Sequence, residues 1–424
     1  MFFVFSVAYS FFVYLSYPLV YEWGLFLALQ KQEHDFIHFL ISISYCMVLV
    51  FFAGFLRFGI FSLFNCFLIF TTFIPFFMLM PYFSPGYLYT SGAAVFFFSS
   101  LVFTFVGLMI RASVGVGLSV SFNMRSFFYL VLLVNVFSLV AILFNFSGLL
   151  SLNAFYDIYG QREAYRSVKG IFSYLLHWQF MVFSPVALIF GMQVRSYFLI
   201  FIAIVGFFVV FLITSFKASL VVFLTILLGF FFRGVWGRFA TASFVSLALL
   251  ILFVVSIVID YSFGVKIISP YIVDRVFFAH GIQLLMITDF FDELPKAMWT
   301  NSFLRHFFDP VYSVDPFIYL GQNFFGRDVR LNTNFVGDGF INFGLFGVLL
   351  STLVAAVCLA VCEIVTMKKS FVVCALLFIP HFASLLNGPI QVSLVTNGLL
   401  ITVAVLLAYP KASIYSDLRA SRES

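Results

Sequence analysis

The chain has 424 residues, of which 63% are hydrophobic and only 9% are charged, and its formal net charge is +5. A mean hydropathy of +1.14 leaves too little polar surface to cover a water-soluble globule of this size. The composition therefore excludes a soluble enzyme and predicts a polytopic membrane protein. The apolar runs are continuous and do not alternate, which excludes a closed barrel and predicts an all-α fold.

Apolar runs long enough to span a bilayer occur about twelve times, each with roughly the 20 residues that a helix needs to cross a hydrocarbon core of about 30 Å. In chain order the predicted spans are 4–28, 37–56, 60–80, 93–110, 126–149, 171–192, 197–215, 218–232, 240–262, 338–364, 370–387 and 391–409. The first resembles a secretory signal, but it is too long and no Lys or Arg precedes it, so we expect a retained span.

Lys and Arg in short loops predict the orientation. The tail 410–424 carries Lys411, Arg419 and Arg422, which predicts that it is cytoplasmic. Counting spans backwards from the tail places both termini in the cytoplasm. Two large loops, 150–170 and 263–337, then lie on the outer, periplasmic face of a single integral membrane domain that comprises residues 1–424.

The shorter outer loop contains "YDIYGQREAYRSVKG", in which Arg162 and Arg166 are four residues apart. On a helix this spacing places both guanidinium groups on one face, where they repel each other. Two interpretations remain open. Either Glu163 and Asp157 neutralise the pair, or the two guanidinium groups clamp a phosphate or pyrophosphate, which Arg binds in bidentate fashion.

Another outer cation, Lys217, lies in "LITSFKASLVV", a turn between two predicted spans. A cation so close to hydrocarbon is costly and marks a candidate functional site, for which an anionic ligand is the simplest explanation. The long loop adds Arg275 and Arg305. For these residues the alternative is that a loop of this length escapes the charge bias altogether.

Within the long loop, the stretch 270–291 has apolar residues at helical spacing, interrupted by Asp274, Arg275 and His280. This pattern predicts a helix that lies along the membrane surface. His280 and His306 each lie in this loop near an Arg. Because the pKa of imidazole lies nearest neutrality, both are candidate bases, and an ordinary packing or surface role is the alternative.

The long loop ends in "LNTNFVGDGFINFGLFG", residues 331–347. Turn chemistry predicts Asp338 as the N-cap of a helix that begins near Phe340. Gly344, Gly347 and Ser351 then follow at spacings that let another helix pack closely. A second interpretation makes Asp338 a base, so its role stays open.

Neither a metal site nor a nucleotide site is predicted. The sequence has no HExxH, CxxC or P-loop motif, and the five cysteines all lie inside predicted spans. We therefore expect small, apolar packing cysteines, no cofactor and no metal.

At this point the layout resembles a known family. The span plan, "REAYR" in the shorter outer loop, the "TSFKASL" turn, the long outer loop and "NTNFVGDGFINFGLFGVLLS" are similar to the Wzy-type O-antigen or oligosaccharide repeat-unit polymerases. The resemblance covers roughly residues 150–365, and Lys217 stands where the family has an Arg. The family pattern of Thr or Asn, an aromatic residue or Gly, and Phe-Gly-x-x-Gly corresponds here to Thr333, Asn334, Phe343, Gly344 and Gly347.

The resemblance implies a GT-C-like glycosyltransferase of the bacterial inner membrane. Such an enzyme transfers a glycan from undecaprenyl pyrophosphate onto the next lipid-linked repeat unit at the periplasmic face, without a cofactor. Its expected partners are the bilayer, a chain-length regulator and a flippase, with no nucleic acid. The residues expected to bind pyrophosphate or substrate are Arg162, Arg166, Lys217, Arg275, Arg305 and Asn334, and the candidate bases are His280, His306 and Asp338.

Two other functions have similar sequence requirements. An O-antigen ligase has a similar span plan and uses the same donor chemistry. A lipid-linked oligosaccharide flippase or another transporter also suits about twelve spans, but it would be expected to place its cations inside the spans. Here the interiors of the spans contain almost no Lys or Arg.

Overall fold

The computed structural model describes residues 1–21, 36–56, 59–83, 92–113, 120, 122–166, 172–233, 242–264 and 268–410, and every regular element among them is helical. Of the predicted cytoplasmic tail 410–424, only Pro410 is described, so Lys411, Arg419 and Arg422 lie outside the described residues. The chain divides into two compact units. The first comprises Met1–Gly115, Ala240–Val361 and Leu385–Ile390, and the second comprises Val116–Phe239, Cys362–Ser384 and Gln391–Ser424.

The α-helices follow in chain order. They are α1 (Phe2–Tyr21), α2 (Phe36–Ala53), α3 (Ile60–Leu68), α4 (Ile74–Phe83), α5 (Ala93–Ser113), α6 (Met124–Phe146), α7 (Ile158–Arg166), α8 (Phe172–Trp178), α9 (Ser184–Val194), α10 (Tyr197–Thr214), α11 (Lys217–Phe231), α12 (Ala242–Phe263), α13 (Ser269–Ile272), α14 (Ala279–Phe291), α15 (Pro316–Phe325), α16 (Phe335–Thr366), α17 (Phe371–Asn387) and α18 (Leu399–Ala408). Single π-helical turns join α3 to α4, α8 to α9, and α13 to α14.

Eight described helical segments are long and apolar enough to cross a membrane. They are Phe36–Ala53, Ile60–Tyr82, Ala93–Ile110, Met124–Leu149, Phe172–Val194, Tyr197–Thr214, Ala242–Phe263 and Phe335–Thr366. Each coincides with a predicted span, and the shorter apolar helices Phe2–Pro18, Lys217–Phe231, Phe371–Asn387 and Leu399–Ala408 coincide with the other four. The prediction of an all-helical, polytopic membrane protein is confirmed, whereas the count of twelve spans stays a prediction.

The first unit is built around the Ile60–Tyr82 span, which is almost entirely enclosed by protein. Helix α14 packs against α4 at Gly281, where an added Cβ would lie 2.7 Å from the Phe76 nitrogen and 2.7 Å from the Pro75 Cβ. Only glycine permits so close an approach. The stretch 270–291 is therefore an internal helix, and the prediction that it lies along the membrane surface is wrong.

The reason lies in how its apolar residues are distributed. Buried side chains occur on every face of α14, from His280 and Ile282 to Leu285 and Met286. A helix that is apolar all round is packed inside a protein, whereas a surface helix needs one charged face.

The segment 335–366 consists of two helices that meet at a sharp break. Phe343 leaves helical geometry and Gly344 adopts φ 62° and ψ −145°, a conformation that favours glycine. The helix 335–342 then packs against the helix 345–366 at Gly339 and Gly347. A Cβ added to Gly347 would lie only 1.9 Å from the Gly339 carbonyl oxygen. The close helix contact predicted for Gly347 is thus made by the segment that immediately precedes it. We call 335–342 the half-helix.

Candidate functional site

The second unit contains a tight polar turn between α10 and α11. Helix α10 ends at Thr214, and the next residue, Ser215, has a left-handed φ of 53°. The Phe216 N–H donates to Thr214 Oγ1 at 3.1 Å, and α11 begins at Lys217 without any side-chain cap. We call residues 214–219 the polar turn. Its first helical N–H groups therefore present the positive end of α11 without a protein acceptor from a capping side chain.

Helix α7 docks onto this turn. Asp157 caps α7 by accepting from the Gly160 N–H at 2.9 Å. The Gln161 side chain, which is buried, donates to the carbonyl oxygens of Leu149 at 2.6 Å and Ile213 at 3.0 Å. These bonds tie α7 to the end of α10, because they satisfy carbonyls that the helix itself leaves unpaired.

Arg162 follows Gln161 and reaches the polar turn itself. Its Nη2 donates to the Ser215 carbonyl oxygen at 3.4 Å, and its guanidinium lies 5.9 Å from the centre of the Phe216 ring. Its Nε is buried and has no hydrogen-bond partner among the described residues. Within the described part of the chain no carboxylate pairs with this guanidinium. Glu163 is exposed, so the two acids considered above do not neutralise Arg162 here.

The other cations predicted for this site lie on the same two elements. Lys217 is exposed at the start of α11. Arg166 is the last residue of α7, four residues and about one turn after Arg162, and its side chain lies outside the described part of the structure. The three predicted cations of the second unit thus lie on α7 and at the polar turn to which α7 is docked.

A histidine that the sequence analysis did not select also reaches this turn. The His177 ring lies 5.8 Å from the Phe216 ring centre and 6.0 Å from that of Phe180. Its Nδ1 lies 3.2 Å from the Ser173 carbonyl oxygen. His177 was overlooked because it lies within an apolar run. The sequence nevertheless carries one signal for His177, because an ionisable side chain inside a predicted span is itself a candidate functional residue.

In the first unit, Asn334 caps the half-helix. Its Oδ1 accepts from the N–H groups of Val336 at 3.1 Å and Gly337 at 3.0 Å. The helix begins at Phe335, so the prediction that Asp338 is the N-cap of a helix starting near Phe340 is wrong. Asp338 instead lies in the first turn. The physical reason is that Asn334, directly before the helix, already accepts from two of the N–H groups that a helix start leaves free.

Polar side chains continue along the half-helix at every fourth position. The amide nitrogen of Asn342 donates to Asp338 Oδ1 at 3.1 Å and to the Asp338 carbonyl oxygen at 2.8 Å. The Asn342 Oδ1 in turn accepts from the Trp299 N–H at 2.7 Å. Asn334, Asp338 and Asn342 are all at most 6% exposed. This buried stripe is closed mainly by hydrogen bonds from the protein, and only the Asn334 Nδ2 has no partner among the described atoms.

The loop that follows α14 bonds to the C-terminal end of the half-helix. The N–H groups of Ala297 and Met298 donate to the carbonyl oxygens of Ile341 at 3.0 Å and Asn342 at 3.1 Å. These carbonyls are two of those that the end of a helix leaves unpaired. The carbonyl oxygens of Ile341 and Asn342 are therefore hydrogen-bonded although the helix breaks at Gly344.

Lys296 lies in the same loop, close to Gly344. Its Nζ donates to the carbonyl oxygens of Phe291 and Asp292, the second at 3.1 Å, and lies 4.9 Å from the centre of the Phe340 ring. Burial lowers the pKa of Lys296, and the nearby Asp292 carboxylate partly offsets that effect. The amine thus bonds to carbonyl oxygens at the C-terminal end of α14, where a cation is favourable.

The remaining predicted residues are dispersed in the first unit. Arg275 is exposed, whereas His280 is buried. The His280 Nδ1 has no described hydrogen-bond partner, and burial lowers the pKa of His280 to about 4, so the ring is neutral at physiological pH. Arg305 and His306 are both exposed on the short turn Phe303–His306.

Two buried carboxylates of the first unit were not selected from the sequence. Asp260 accepts from the N–H of Ile268 at 3.0 Å, and from the N–H and hydroxyl of Ser269 at 2.6 Å each. Asp274 is 2% exposed, and no group in the described part of the chain bonds to its Oδ2. Burial raises the pKa of Asp274 to about 6, against a smaller opposite effect of Arg275.

The predicted residues therefore form two sets. Arg162, Arg166 and Lys217 belong to the second unit, and Arg275, His280, Arg305, His306, Asn334 and Asp338 belong to the first. Among the described residues, no group of three or more His, Cys, Asp and Glu side chains is arranged to hold a metal ion. Comparison with known protein families, with curated proteins and with solved structures gives no significant match for this chain.

Proposed function

We propose that this protein is an O-antigen polymerase, a membrane-embedded glycosyltransferase of the bacterial inner membrane. It would transfer a glycan from undecaprenyl pyrophosphate onto the next lipid-linked repeat unit. The proposal includes twelve spans, cytoplasmic termini and an active periplasmic face that carries the loops 150–170 and 263–337. The sequence resemblance described above motivates it.

The single observation that carries the proposal is the state of Arg162. Its guanidinium is partly buried at the polar turn, its Nε has no partner, and no described carboxylate neutralises it. Exposed Lys217 and the uncapped start of α11 add further positive charge beside it. A pyrophosphate leaving group develops negative charge as its bond to the sugar breaks, and fixed cations stabilise that charge. Arg166, Arg275 and Arg305 are the further cations of the proposal.

The acceptor side of the reaction requires contacts to sugar hydroxyls and a base. The free Nδ2 of Asn334 is a hydrogen-bond donor suited to a hydroxyl oxygen. The candidate bases predicted from the sequence are His280, His306 and Asp338. The neutral ring of His280 supports a role as acceptor, and His306 is exposed and therefore accessible. Asp338 already accepts a hydrogen bond from the Asn342 amide.

Deletion of the gene in its host tests the proposal. Without the polymerase, the surface lipid should carry a single repeat unit, visible by gel electrophoresis as one band above the unsubstituted lipid core. Long chains should return when the intact gene is supplied in trans. Complete loss of repeat units from the core would contradict a polymerase, and it would instead be the result expected for a ligase or a flippase.

One observation favours a different class, a lipid-linked oligosaccharide flippase or other transporter. Secondary transporters commonly bind their substrates beside interrupted helices, and the half-helix is separated from 345–366 by the break at Phe343 and Gly344. For a transporter, the lipid-linked repeat unit would accumulate on the cytoplasmic face of the membrane in the deletion strain. For a polymerase it would still reach the periplasmic face.

A further inference from the structure

His177 and Arg162 come from different helices and contact the same aromatic ring. The guanidinium lies 5.9 Å, and the imidazole 5.8 Å, from the centre of the Phe216 ring. Lys217 is the next residue of the chain. All of these residues belong to the second unit, so their proximity depends only on the packing within that unit.

The hydrogen bond of His177 determines which ring nitrogen is available. A backbone carbonyl can only accept, so the nitrogen that lies 3.2 Å from the Ser173 oxygen, Nδ1, must carry the hydrogen. In the neutral ring the other nitrogen, Nε2, then has a lone pair and no hydrogen. No described protein group bonds to Nε2. The partly exposed ring therefore offers one acceptor in contact with Phe216, the ring that Arg162 also contacts and that Lys217 follows in the chain.

Among the other described histidines, His381 does not offer such an acceptor. Its ring is fully buried, and its Nε2 already lies 2.7 Å from Thr402 Oγ1. A nucleophilic sugar hydroxyl needs an acceptor close to the place where the pyrophosphate leaves, because attack and departure occur at the same carbon. Arg162 and Lys217 are the groups assigned to that pyrophosphate, which favours His177 over a base on another element.

We infer that His177 takes the proton of the acceptor sugar hydroxyl, at an active site whose pyrophosphate is held by Arg162 and Lys217. This inference rests on the proposed function. As the hydroxyl oxygen bonds to the anomeric carbon, its proton passes to His177 Nε2. The bond from that carbon to the pyrophosphate oxygen breaks, its electron pair leaves with the pyrophosphate, and the imidazolium later returns the proton to water. No oxidant, metal or cofactor enters this balance.

Two variants separate proton transfer from the structural roles of the ring. His177→Asn places an amide N–H where Nδ1 lies, so it can keep the bond to Ser173, but it has no proton acceptor at Nε2. His177→Phe keeps the ring contacts with Phe216 and Phe180 and loses both nitrogens. Tyr174→Phe, one turn earlier on α8, is the matched control. Its wild-type ring lies 6.2 Å from that of Trp178, and that packing survives the change.

The assay uses the full-length protein in liposomes, with the single-repeat lipid extracted from the deletion strain as both donor and acceptor. Both His177 variants should lower kcat by about 10²- to 10⁴-fold, the usual contribution of a general base. The KM for the lipid should stay within about two-fold of wild type, because the groups that bind pyrophosphate are intact. Inorganic pyrophosphate should inhibit the Asn variant and the wild type at equal concentrations.

Three outcomes would overturn the inference. Near-wild-type kcat in His177→Phe would show that only the ring packing matters, and near-wild-type kcat in His177→Asn would show that only the bond to Ser173 matters. A rise in KM with unchanged kcat would assign His177 to binding. In each of these cases the wild type still elongates the lipid, so the proposed function stands. A wild-type protein that fails to elongate it removes both proposals.

Discussion

The half-helix and the polar turn are both short polar interruptions between apolar helices, but they satisfy their polar groups in different ways. The half-helix carries neutral amides and one carboxylate, all buried, and the protein itself supplies most of their hydrogen bonds. The polar turn contains Lys217 and accepts a hydrogen bond from Arg162 of α7, and no described carboxylate compensates these two cations. A buried group that is paired inside the protein contributes to a defined structure. Cations left without a described counter-charge are what the proposed binding of pyrophosphate requires.

The comparison predicts opposite responses to substitution. Apart from the candidate base Asp338, changes in the half-helix should act on folding and leave any folded protein active. Changes at Arg162 and at the polar turn should act on activity and leave folding intact. The experiments below test this difference, beginning with the largest expected effect.

Gly347→Ala should prevent folding of the 335–361 region. The added Cβ would lie 1.9 Å from the Gly339 carbonyl oxygen, which belongs to the backbone and cannot rotate away. Overpacking usually costs about 1 to 3 kcal/mol, and a clash with backbone lies at or beyond the upper end. Little monodisperse protein should be recovered by size-exclusion chromatography in detergent. Gly148→Ala is the control, because nothing lies within 4 Å of its added Cβ. Normal recovery of the Gly347 variant would refute the packed glycine pair.

Asp274→Asn should stabilise the protein at neutral pH. The pKa of this carboxyl rises from 3.8 unfolded to about 6 folded, so ionisation opposes folding above pH 6. Two pKa units correspond to about 3 kcal/mol. The wild type should gain stability as the pH falls from about 6 to about 4, while the Asn variant should not, so the difference between them closes over that window. Melting temperatures at several pH values measure this.

Asp260, the other buried carboxylate of the first unit described above, should respond in the opposite way to Asp274. Its carboxylate accepts three hydrogen bonds or more, so Asp260→Asn should destabilise the protein rather than stabilise it, because an amide nitrogen cannot accept from the same donors. Equal effects of the two substitutions would mean that hydrogen bonding does not distinguish these carboxyl groups.

Arg162→Ala should shorten or abolish the glycan chains without reducing the amount of protein in the membrane. Loss of one charge-assisted hydrogen bond is worth about 1.5 to 3 kcal/mol, which is roughly 10- to 100-fold in rate. We expect the same direction of effect for Arg166→Ala and Arg275→Ala. Gel analysis of surface glycan in the complemented deletion strain is the measurement. Arg125, which is exposed, is changed to Ala as the control. Long glycan chains in all three of the Arg162, Arg166 and Arg275 variants would contradict the proposed cationic site.

Asn334→Ala should produce the smallest effect, a loss of about 1 kcal/mol, because it removes the cap that two N–H groups share. Asn334→Ser should restore most of that stability, since Ser also caps helices. If the Asn334→Ser protein folds but no longer elongates the glycan, the Asn334 Nδ2 contacts the substrate. The half-helix then contributes to activity as well as to structure. Thermal unfolding and glycan length should be measured on the same preparations.

Asp338→Asn separates the two roles that the sequence left open for Asp338. The amide oxygen can still accept from Asn342, so the protein should fold. Retained elongation would exclude Asp338 as the base, whereas a loss of about 10²-fold or more in kcat with normal folding would support it over His177.

The sequence predicted the helical spans closely because hydropathy over about 20 residues depends on the solvent and hardly on tertiary contacts. The sequence-based predictions were wrong at positions whose environment is determined by tertiary contacts. The stretch 270–291 has few charges, and only the close packing of Gly281 against Pro75 and Phe76 reveals that this helix is packed against protein. The start of the half-helix was misplaced because Asn334 and Asp338 are both good capping residues, and the pattern alone did not choose between them.

The candidate site was predicted in part. Arg162 and Lys217 were selected without any structure because they lie in turns predicted to be on the outer face, where the charge bias disfavours cations. His177 was not visible in this way, because its significance comes from Phe216, a residue 39 positions later in the sequence. One Phe among 67 carries no signal until the fold shows which side chains surround it.

The break at Gly344 also has a consequence for how the protein is inserted during synthesis. The half-helix has eight residues and is about 12 Å long, far short of the roughly 30 Å hydrocarbon core, so it cannot enter the bilayer as an independent segment. The 22 residues of 345–366 can do so. Insertion of the 345–366 helix should therefore come first, and the half-helix should fold back onto the glycine face of an anchor that is already in the membrane.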